Sequence, residues 1–265
     1  MKPIKVAVNG ALGKMGQTLI AALYREPGMQ PVGATDIKAT QDHLTLPDGS
    51  GRIPLSKKLE PMLDSCQPEV VIDFSNAEAV MPLVKLAAEK GVNLVIGTTG
   101  IGAGDIKKID ALANDRGIGI VIAPNFTLSA VLMIHLARIA SKYFDYAEIV
   151  ELHHERKLDA PSGTALLTAQ AMAEARGKPF NTPPAGEKAA SRGKQLEGIS
   201  LHSVRLPGLL AHQEILFGGE GQTLSIRHDT SGRDCYMPGV MLAVKEVMQR
   251  KGLTYGLDIL LGLEK

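Results

Sequence analysis

The chemistry-bearing residues of this chain crowd into one stretch: Glu151-Leu152-His153-His154-Glu155-Arg156-Lys157-Leu158-Asp159-Ala160-Pro161-Ser162-Gly163-Thr164. A histidine titrates near neutral pH and can give or take a proton at nitrogen or oxygen. A partly desolvated lysine near another cation can have its pKa lowered enough to serve as the acid instead. Ser162 suits a helix N-cap, with Pro161 just before it. The N–H groups of Gly163 and Thr164 would then open a helix N-terminus, whose partial positive charge favours a carboxylate or phosphate. Lys157 adds a full charge. These parts can hold an anionic substrate and hand it a proton. Taken singly, each has a plain explanation. Adjacent histidines on a strand face opposite ways, so only one points into a given cleft unless the strand ends there. Pro-Ser-Gly-Thr is ordinary capping, and Ser162 lacks the surroundings of a nucleophile. Asp159 either orients the lysine or caps the turn, and the structural role is favoured. The clustering is what points to a site.

Elements must place this stretch. Residues 147–152 read as a strand, and residues 165–176 as an apolar-rich helix carrying Leu166, Leu167, Ala169 and Ala173. The stretch is therefore a strand–loop–helix junction. At the other end of the sequence, the apolar strand at residues 4–9 runs into Gly10-Ala11-Leu12-Gly13-Lys14-Met15-Gly16, and a helix follows over residues 17–24. A glycine-rich turn between strand and helix lets backbone approach a pyrophosphate. The next strand, 31–35, ends on Asp36, which can bind ribose hydroxyls, while Lys38 suits a ribose phosphate. NAD and NADP therefore both stay open. Residues 41–58 read as a loop and 61–65 as a short helix. Strands at 70–74, 93–96 and 118–122 alternate with helices at 77–90 and 105–115, which predicts a parallel doubly wound sheet. In such sheets ligands bind at the carboxyl edge. Gly97-Thr98-Thr99-Gly100 and Ala123-Pro124-Asn125-Phe126 fall on that edge with the glycine turn and Asp36.

Beyond a helix at 127–143 the pattern changes. A polar segment, 177–197, reads as an exposed loop. Strands at 199–204, 213–217 and 223–228 follow without intervening helices, so this part is α+β with a mixed or antiparallel sheet. A helix at 236–251 and an apolar tail at 255–263 close the chain. The expected domains are 1–126 for a dinucleotide, with 236–265 returning to it, and 127–235 for substrate and oligomerisation. Arg205, His212, Arg227, His228 and Arg233 read as ordinary surface residues.

Composition narrows the classes. The 265 residues carry a formal net charge of +1, which offers no reason to propose nucleic acid or a membrane surface. No apolar run reaches a membrane span. Trp is absent, so base-stacking platforms are not expected. Cys66 and Cys235 lack metal-ligand spacing, and no metal site is expected. Met1-Lys2-Pro3-Ile4-Lys5 leads straight into a strand with no signal-peptide core, so a cytoplasmic setting is expected.

The motif His153-His154-x-x-Lys157-x-Asp159-x-Pro161-Ser162-Gly163-Thr164 resembles the signature of the 4-hydroxy-tetrahydrodipicolinate reductase (dihydrodipicolinate reductase) family. These are nicotinamide-dependent enzymes of the diaminopimelate route to lysine. The resemblance spans essentially the whole chain. Gly10-x-x-Gly13-x-Met15-Gly16, Gly97–Gly100 and Ala123–Phe126 match the family's cofactor contacts, and His228-Asp229-x-Ser231-x-Arg233 resembles its late motif. The resemblance implies a Rossmann-like first domain and a dicarboxylate substrate bound by His154, Ser162, Gly163 and Thr164. It implies proton transfer by His153 and Lys157, and a homotetramer formed through the second domain's sheets. Glu155 and Arg156 stand where many relatives carry a further basic residue. Asp36-Ile37-Lys38 departs from the acidic-then-Arg pair of dual-cofactor members, so NADH is expected to serve at least as well as NADPH. Two other readings compete. A semialdehyde dehydrogenase would need a catalytic cysteine at the cofactor edge. A non-catalytic nicotinamide sensor would keep Gly10–Gly16 and Asp36 without needing His153 or Lys157.

Overall fold

The structure, a computed structural model, describes residues 2–184 and 189–263. The first elements are β1 (Ile4–Asn9), α1 (Lys14–Arg25), β2 (Met29–Thr35), β3 (His43–Thr45), β4 (Arg52–Ser56), α2 (Leu59–Cys66) and β5 (Val70–Asp73). Next come α3 (Ala77–Lys90), β6 (Asn93–Ile96), α4 (Ala103–Arg116), β7 (Gly119–Ile122), α5 (Leu128–Ala140), β8 (Tyr146–His153) and α6 (Gly163–Arg176). The chain ends with β9 (Lys194–Leu196), β10 (Ile199–Arg205), β11 (Ala211–Gly219), β12 (Gln222–Thr230), α7 (Met237–Val247), β13 (Gly252–Tyr255) and α8 (Leu257–Leu260). Two units emerge, Met1–Leu128 with Arg233–Lys265, and Ser129–Gly232.

The first unit holds an eight-stranded sheet in the order β13-β7-β6-β5-β1-β2-β4-β3. Its strands are parallel except for β3 against β4. Val6-Ala7-Val8, Val70-Val71-Ile72, Leu94-Val95-Ile96 and Ile120-Val121-Ile122 are all buried. Such unbroken apolar runs belong to strands covered on both faces, as a parallel sheet with helices on each side requires. The helices have readable ends. Asn76 caps α3 by accepting from the Ala79 N–H, and Gly91 ends it in the left-handed conformation. Chain order reverses at β1, which pairs with β2 on one side and β5 on the other. That reversal opens a crevice at the carboxyl edge, and the glycine turn lies there.

The second unit holds a mixed sheet in the order β12-β11-β8-β10-β9. β8 runs parallel to β10, and the other pairs are antiparallel. Its core joins Met133 and Ala137 of α5 and Ala169 of α6 to Ile149, Ile215 and Phe217 of the sheet. The doubly wound fold with a mixed second sheet is therefore as the sequence predicts.

Three segments differ from the sequence reading. Residues 41–58 contain β3 and β4. Ile53 and Leu55 of β4 are buried while Arg52 and Pro54 face out, an alternation too short to stand out among Gly, Pro, Asp and Ser. Residues 252–255 form β13, which extends the first sheet beside β7, in the interval between the expected helix at 236–251 and the apolar tail at 255–263, where no strand was expected. Their pairing partner lies far off in sequence, at Gly119–Ile122. Within 177–197, β9 pairs with β10, and residues 185–188 lie outside those described.

The glycine turn depends on close packing. A Cβ on Gly16 would lie 2.3 Å from the Gly10 carbonyl oxygen and 2.5 Å from the Ala11 Cα. Both are backbone atoms that cannot rotate away. Gly16→Ala is expected to push α1 off the turn and cost about 1–3 kcal/mol. Thermal denaturation should show a lowered Tm, and an unchanged Tm would contradict this packing.

Candidate active site

β8 alternates as a half-covered strand must. Ala147, Ile149 and Glu151 are buried, and Glu151 has 0% exposure. Glu151 thus occupies a core-facing position where the pattern calls for an apolar residue. Its carboxylate is ionised and fully engaged. Oε1 accepts from Arg205 Nη2 at 2.8 Å and the Ser162 N–H at 3.2 Å. Oε2 accepts from Arg205 Nη1 at 2.9 Å and His153 Nδ1 at 2.5 Å. Burial alone would raise this carboxyl, but hydrogen bonds from His153, Arg205 and Ser203 outweigh it and hold the group at about 2. A displacement of that size contributes roughly 3 kcal/mol to folding at neutral pH. The contribution is full above the ordinary carboxyl value of 4.5 and is lost as pH falls through about 2.

His153 ends β8, and His154 lies just past the strand end. A carboxylate only accepts, so His153 Nδ1 donates to Glu151, which leaves Nε2 to meet a substrate. The Nδ1 of His154 is buried without a hydrogen-bond partner among the described residues. Such an atom costs about 1–3 kcal/mol unless something meets it. The Lys157 N–H bonds the His154 carbonyl at 3.1 Å and closes a turn. Lys157 Nζ donates to both oxygens of Asp159, at 2.7 and 2.8 Å. That hydrogen bond, chiefly, lowers the Asp159 carboxyl below its usual range. The favoured capping role for Asp159 gives way to a direct hold on the lysine. The Asp159 side chain is 60% exposed, so the pair is worth about 0–1 kcal/mol and exchanges easily.

Ser162 caps α6 as expected, its Oγ accepting from the Ala165 N–H at 3.2 Å. Among the described residues, no acceptor meets the N–H groups of Gly163 and Thr164, and both residues are exposed. The first turn is anchored from below. Gln213 Nε2 donates to Thr168 Oγ1, which donates to the Thr164 carbonyl. The result is a rigid helix start with two open donors.

In the first unit, Asp36 Oδ2 accepts the Leu12 N–H and Oδ1 the Lys38 N–H, each at 2.9 Å. Asp36 therefore braces the glycine turn as well as facing the edge. α1 starts at Lys14 with no side-chain cap on Gly13 and no acidic residue in its first turn. Its open N–H groups suit a pyrophosphate. Below the edge lies a buried polar row. Asn9 and Ser75 donate to Asp73 Oδ1, Thr98 donates to Asp73 Oδ2, and Thr35 donates to Asn9. The Thr98 hydroxyl is spent there. The side chains of Ala11, Ala123 and Phe126 are also buried, so these four expected cofactor residues offer backbone only. A Cβ on Gly97 would fall 2.2 Å from the Phe74 ring, which in turn packs against Phe126. Met15 and Asn125 are half-buried, and Gly13, Lys14, Lys38, Thr99 and Pro124 are exposed.

A family model described as "Dihydrodipicolinate reductase, N-terminus" matches residues 4–126, and one described as "Dihydrodipicolinate reductase, C-terminus" matches residues 129–261. The chain belongs to the dihydrodipicolinate reductase family. A 4-hydroxy-tetrahydrodipicolinate reductase of Dehalococcoides mccartyi is 54% identical over 263 residues, covering 99% of this chain and all of the relative. One from Moorella thermoacetica is 45% identical over 261 residues, covering 97% and 98%. The dipicolinate-bound dihydrodipicolinate reductase of Paenisporosarcina sp. TG-14 superposes with a TM-score of 0.87 at 40% identity, covering 97% of this chain and 99% of that one. These relatives are oxidoreductases of the diaminopimelate route to lysine, and this chain is an enzyme of their class. The family implies a pyridine nucleotide cofactor. The semialdehyde and sensor readings give way.

Two residues set aside as surface are built into this chain's second unit. Arg205 holds Glu151. His228 is 8% exposed, with Nδ1 2.8 Å from Ser129 Oγ and Nε2 3.1 Å from Thr230 Oγ1. The signal for Arg205 was available: a Glu in the inward register of a strand needs a cation on its neighbour. For His228 the one signal was the late-motif resemblance of His228-Asp229-x-Ser231-x-Arg233, which does not by itself say that the ring is buried. Burial lowers its pKa, against an opposing effect from Asp229. The unfolded chain therefore takes up this proton at higher pH than the folded one. Stability is expected to fall as pH drops below about 6.5. Denaturant midpoints between pH 8 and pH 5 should show a smaller fall in His228→Gln than in the parent; parallel pH dependences would remove His228 as the cause.

Proposed function

We propose that this chain reduces 4-hydroxy-tetrahydrodipicolinate to tetrahydrodipicolinate, with His153 and Lys157 as the proton-transfer groups. The observation that carries the residue roles is a single short turn. It brings a histidine with one committed nitrogen, a lysine held only by an exposed carboxylate, and two open helix N–H groups onto one junction. The dipicolinate of the Paenisporosarcina relative supports a cyclic dicarboxylate as substrate.

In this reading one substrate carboxylate sits on the N–H groups of Gly163 and Thr164, with Ser162 shaping the helix start. Helix-end donors need no reorganisation to receive it. His154 offers its unpartnered ring nitrogen to the substrate. A substrate carboxylate can compete with Asp159 for Lys157, because the exposed pair is weak. The hydroxyl at ring position 4 leaves as water together with a proton from the neighbouring ring carbon, which forms a C=C bond conjugated with the ring C=N; hydride then adds at position 4, and a proton from the protein completes the tetrahydro product. The bound nicotinamide supplies the hydride. His153 Nε2, which accepts a proton while the ring is neutral and gives it back once the ring is charged, and Lys157 Nζ are the two proton-transfer groups of this turn. Gly10, Ala11, Leu12, Gly13, Lys14 and Met15 hold the pyrophosphate, and Gly97, Thr98, Thr99 and Ala123–Phe126 line the rest of the cofactor edge. Asp36, fixed by two backbone N–H groups, favours ribose hydroxyls over a phosphate, while Lys38 offsets it. NADH serves at least as well as NADPH. The same reading carries a homotetramer, supported by the exposed residues Gln222–Ser225 of β12, and a cytoplasmic setting.

The test is consumption of NADH and of NADPH with substrate generated in place by the preceding synthase. His153→Ala and Lys157→Ala are each expected to cut turnover by about 10²-fold or more, with cofactor affinity little changed. Near-normal turnover in both variants would sink these roles.

A further inference from the structure

All five N–H donors of Arg205 are spent inside the protein. Nη1 donates to Glu151 Oε2 and to the Val204 carbonyl. Nη2 donates to Glu151 Oε1 and to the Asp159 carbonyl, and Nε donates to the Lys157 carbonyl at 3.2 Å. Glu151 is equally saturated, each oxygen accepting two hydrogen bonds. Neither side chain has a hydrogen-bonding site left for a substrate. Both nonetheless hold the surroundings of His153, of Lys157 and of the start of α6. Glu151 holds His153 and the first N–H before the open pair on α6. Arg205 holds the carbonyls on both sides of the Lys157–Asp159 clamp.

We propose that Glu151 and Arg205 are positioning residues: Glu151 keeps the proton on His153 Nδ1 so that Nε2 is the working nitrogen, and Arg205 clamps the turn that carries Lys157. The inference rests on the roles proposed above for His153 and Lys157. Its chemistry follows from the partners. The Glu151 carboxylate is ionised throughout the working pH range, so the neutral imidazole beside it is driven to one tautomer. A lysine at position 205 would keep the charge but lose the planar fork that ties three carbonyls and a carboxylate at once.

Breaking one partner alone strands a buried charge and invites unfolding, so the decisive variant removes both. Glu151→Met with Arg205→Met replaces the pair by apolar side chains, a change that folded proteins often tolerate. The expected result is a cooperative thermal transition and parental cofactor affinity, with kcat/KM lowered about 10²-fold, the usual scale for a misplaced catalytic group. A folded double variant with parental turnover would overturn the proposal, since a pair needed only for stability predicts that result. The second measurement needs no folded variant. Nitrogen-15 resonances of the parent enzyme's histidines, with His153 assigned by its loss in His153→Gln, should show the neutral ring protonated at Nδ1. Protonation at Nε2 instead would overturn the proposal. A parent enzyme that consumes no NADH or NADPH would defeat the reductase reading, while the nitrogen-15 result would still decide the tautomer.

Discussion

The buried ion pair between Glu151 and Arg205 is the constraint on which the second unit's chemistry depends. A carboxylate with no exposure cannot stay charged without matched donors, and a single missing partner would leave an uncompensated buried charge. The pair resolves this with complete saturation on both sides. That completeness has a geometric result. One ion pair sets the ring of His153, the start of α6 and the backbone around Lys157. Outside that network, Lys157 meets Asp159 in an exposed contact, which is weak as such ion pairs are.

The first unit uses a carboxylate for a similar purpose at its own edge. Asp36 ties the glycine turn to the end of β2, and the Asp73 row ties together the ends of β1, β2 and β5 and the loop after β6. Strand ends that would otherwise fray are held in register beneath the surface offered to a dinucleotide. The helix α1 begins without a side-chain cap, so its donors stay available. In both units a carboxylate braces the scaffold, and the backbone N–H groups at the starts of α1 and α6 are left without acceptors among the described residues.

Family membership fits this division of labour. The cofactor carries the hydride chemistry, and the protein contributes orientation, anion binding and a proton.

Most of the parallel sheet was legible because its strands are unbroken apolar runs bounded by glycine, and the strand–helix alternation admits few topologies. The motif from His153 to Thr164 was legible as a cluster of residue types at fixed spacing, and its capping serine behaved as local rules require. Those features are local in sequence, so sequence alone determined them. The strand β4 was not legible because its alternation is short and set among Gly, Pro, Asp and Ser, and β13 was not because its partner, β7, lies more than a hundred residues away. Asp159's hold on Lys157, the retreat of the Thr98 and Phe126 side chains from the cofactor edge, and the roles of Arg205 and His228 were decided only by tertiary structure. Apart from the Lys157–Asp159 contact, where the structure chose between two readings open in the sequence, each depends on which distant segments pack together. Arg205 sits 54 residues from Glu151, and only the pairing of β10 with β8 turns a surface-type arginine into the partner that a buried glutamate requires.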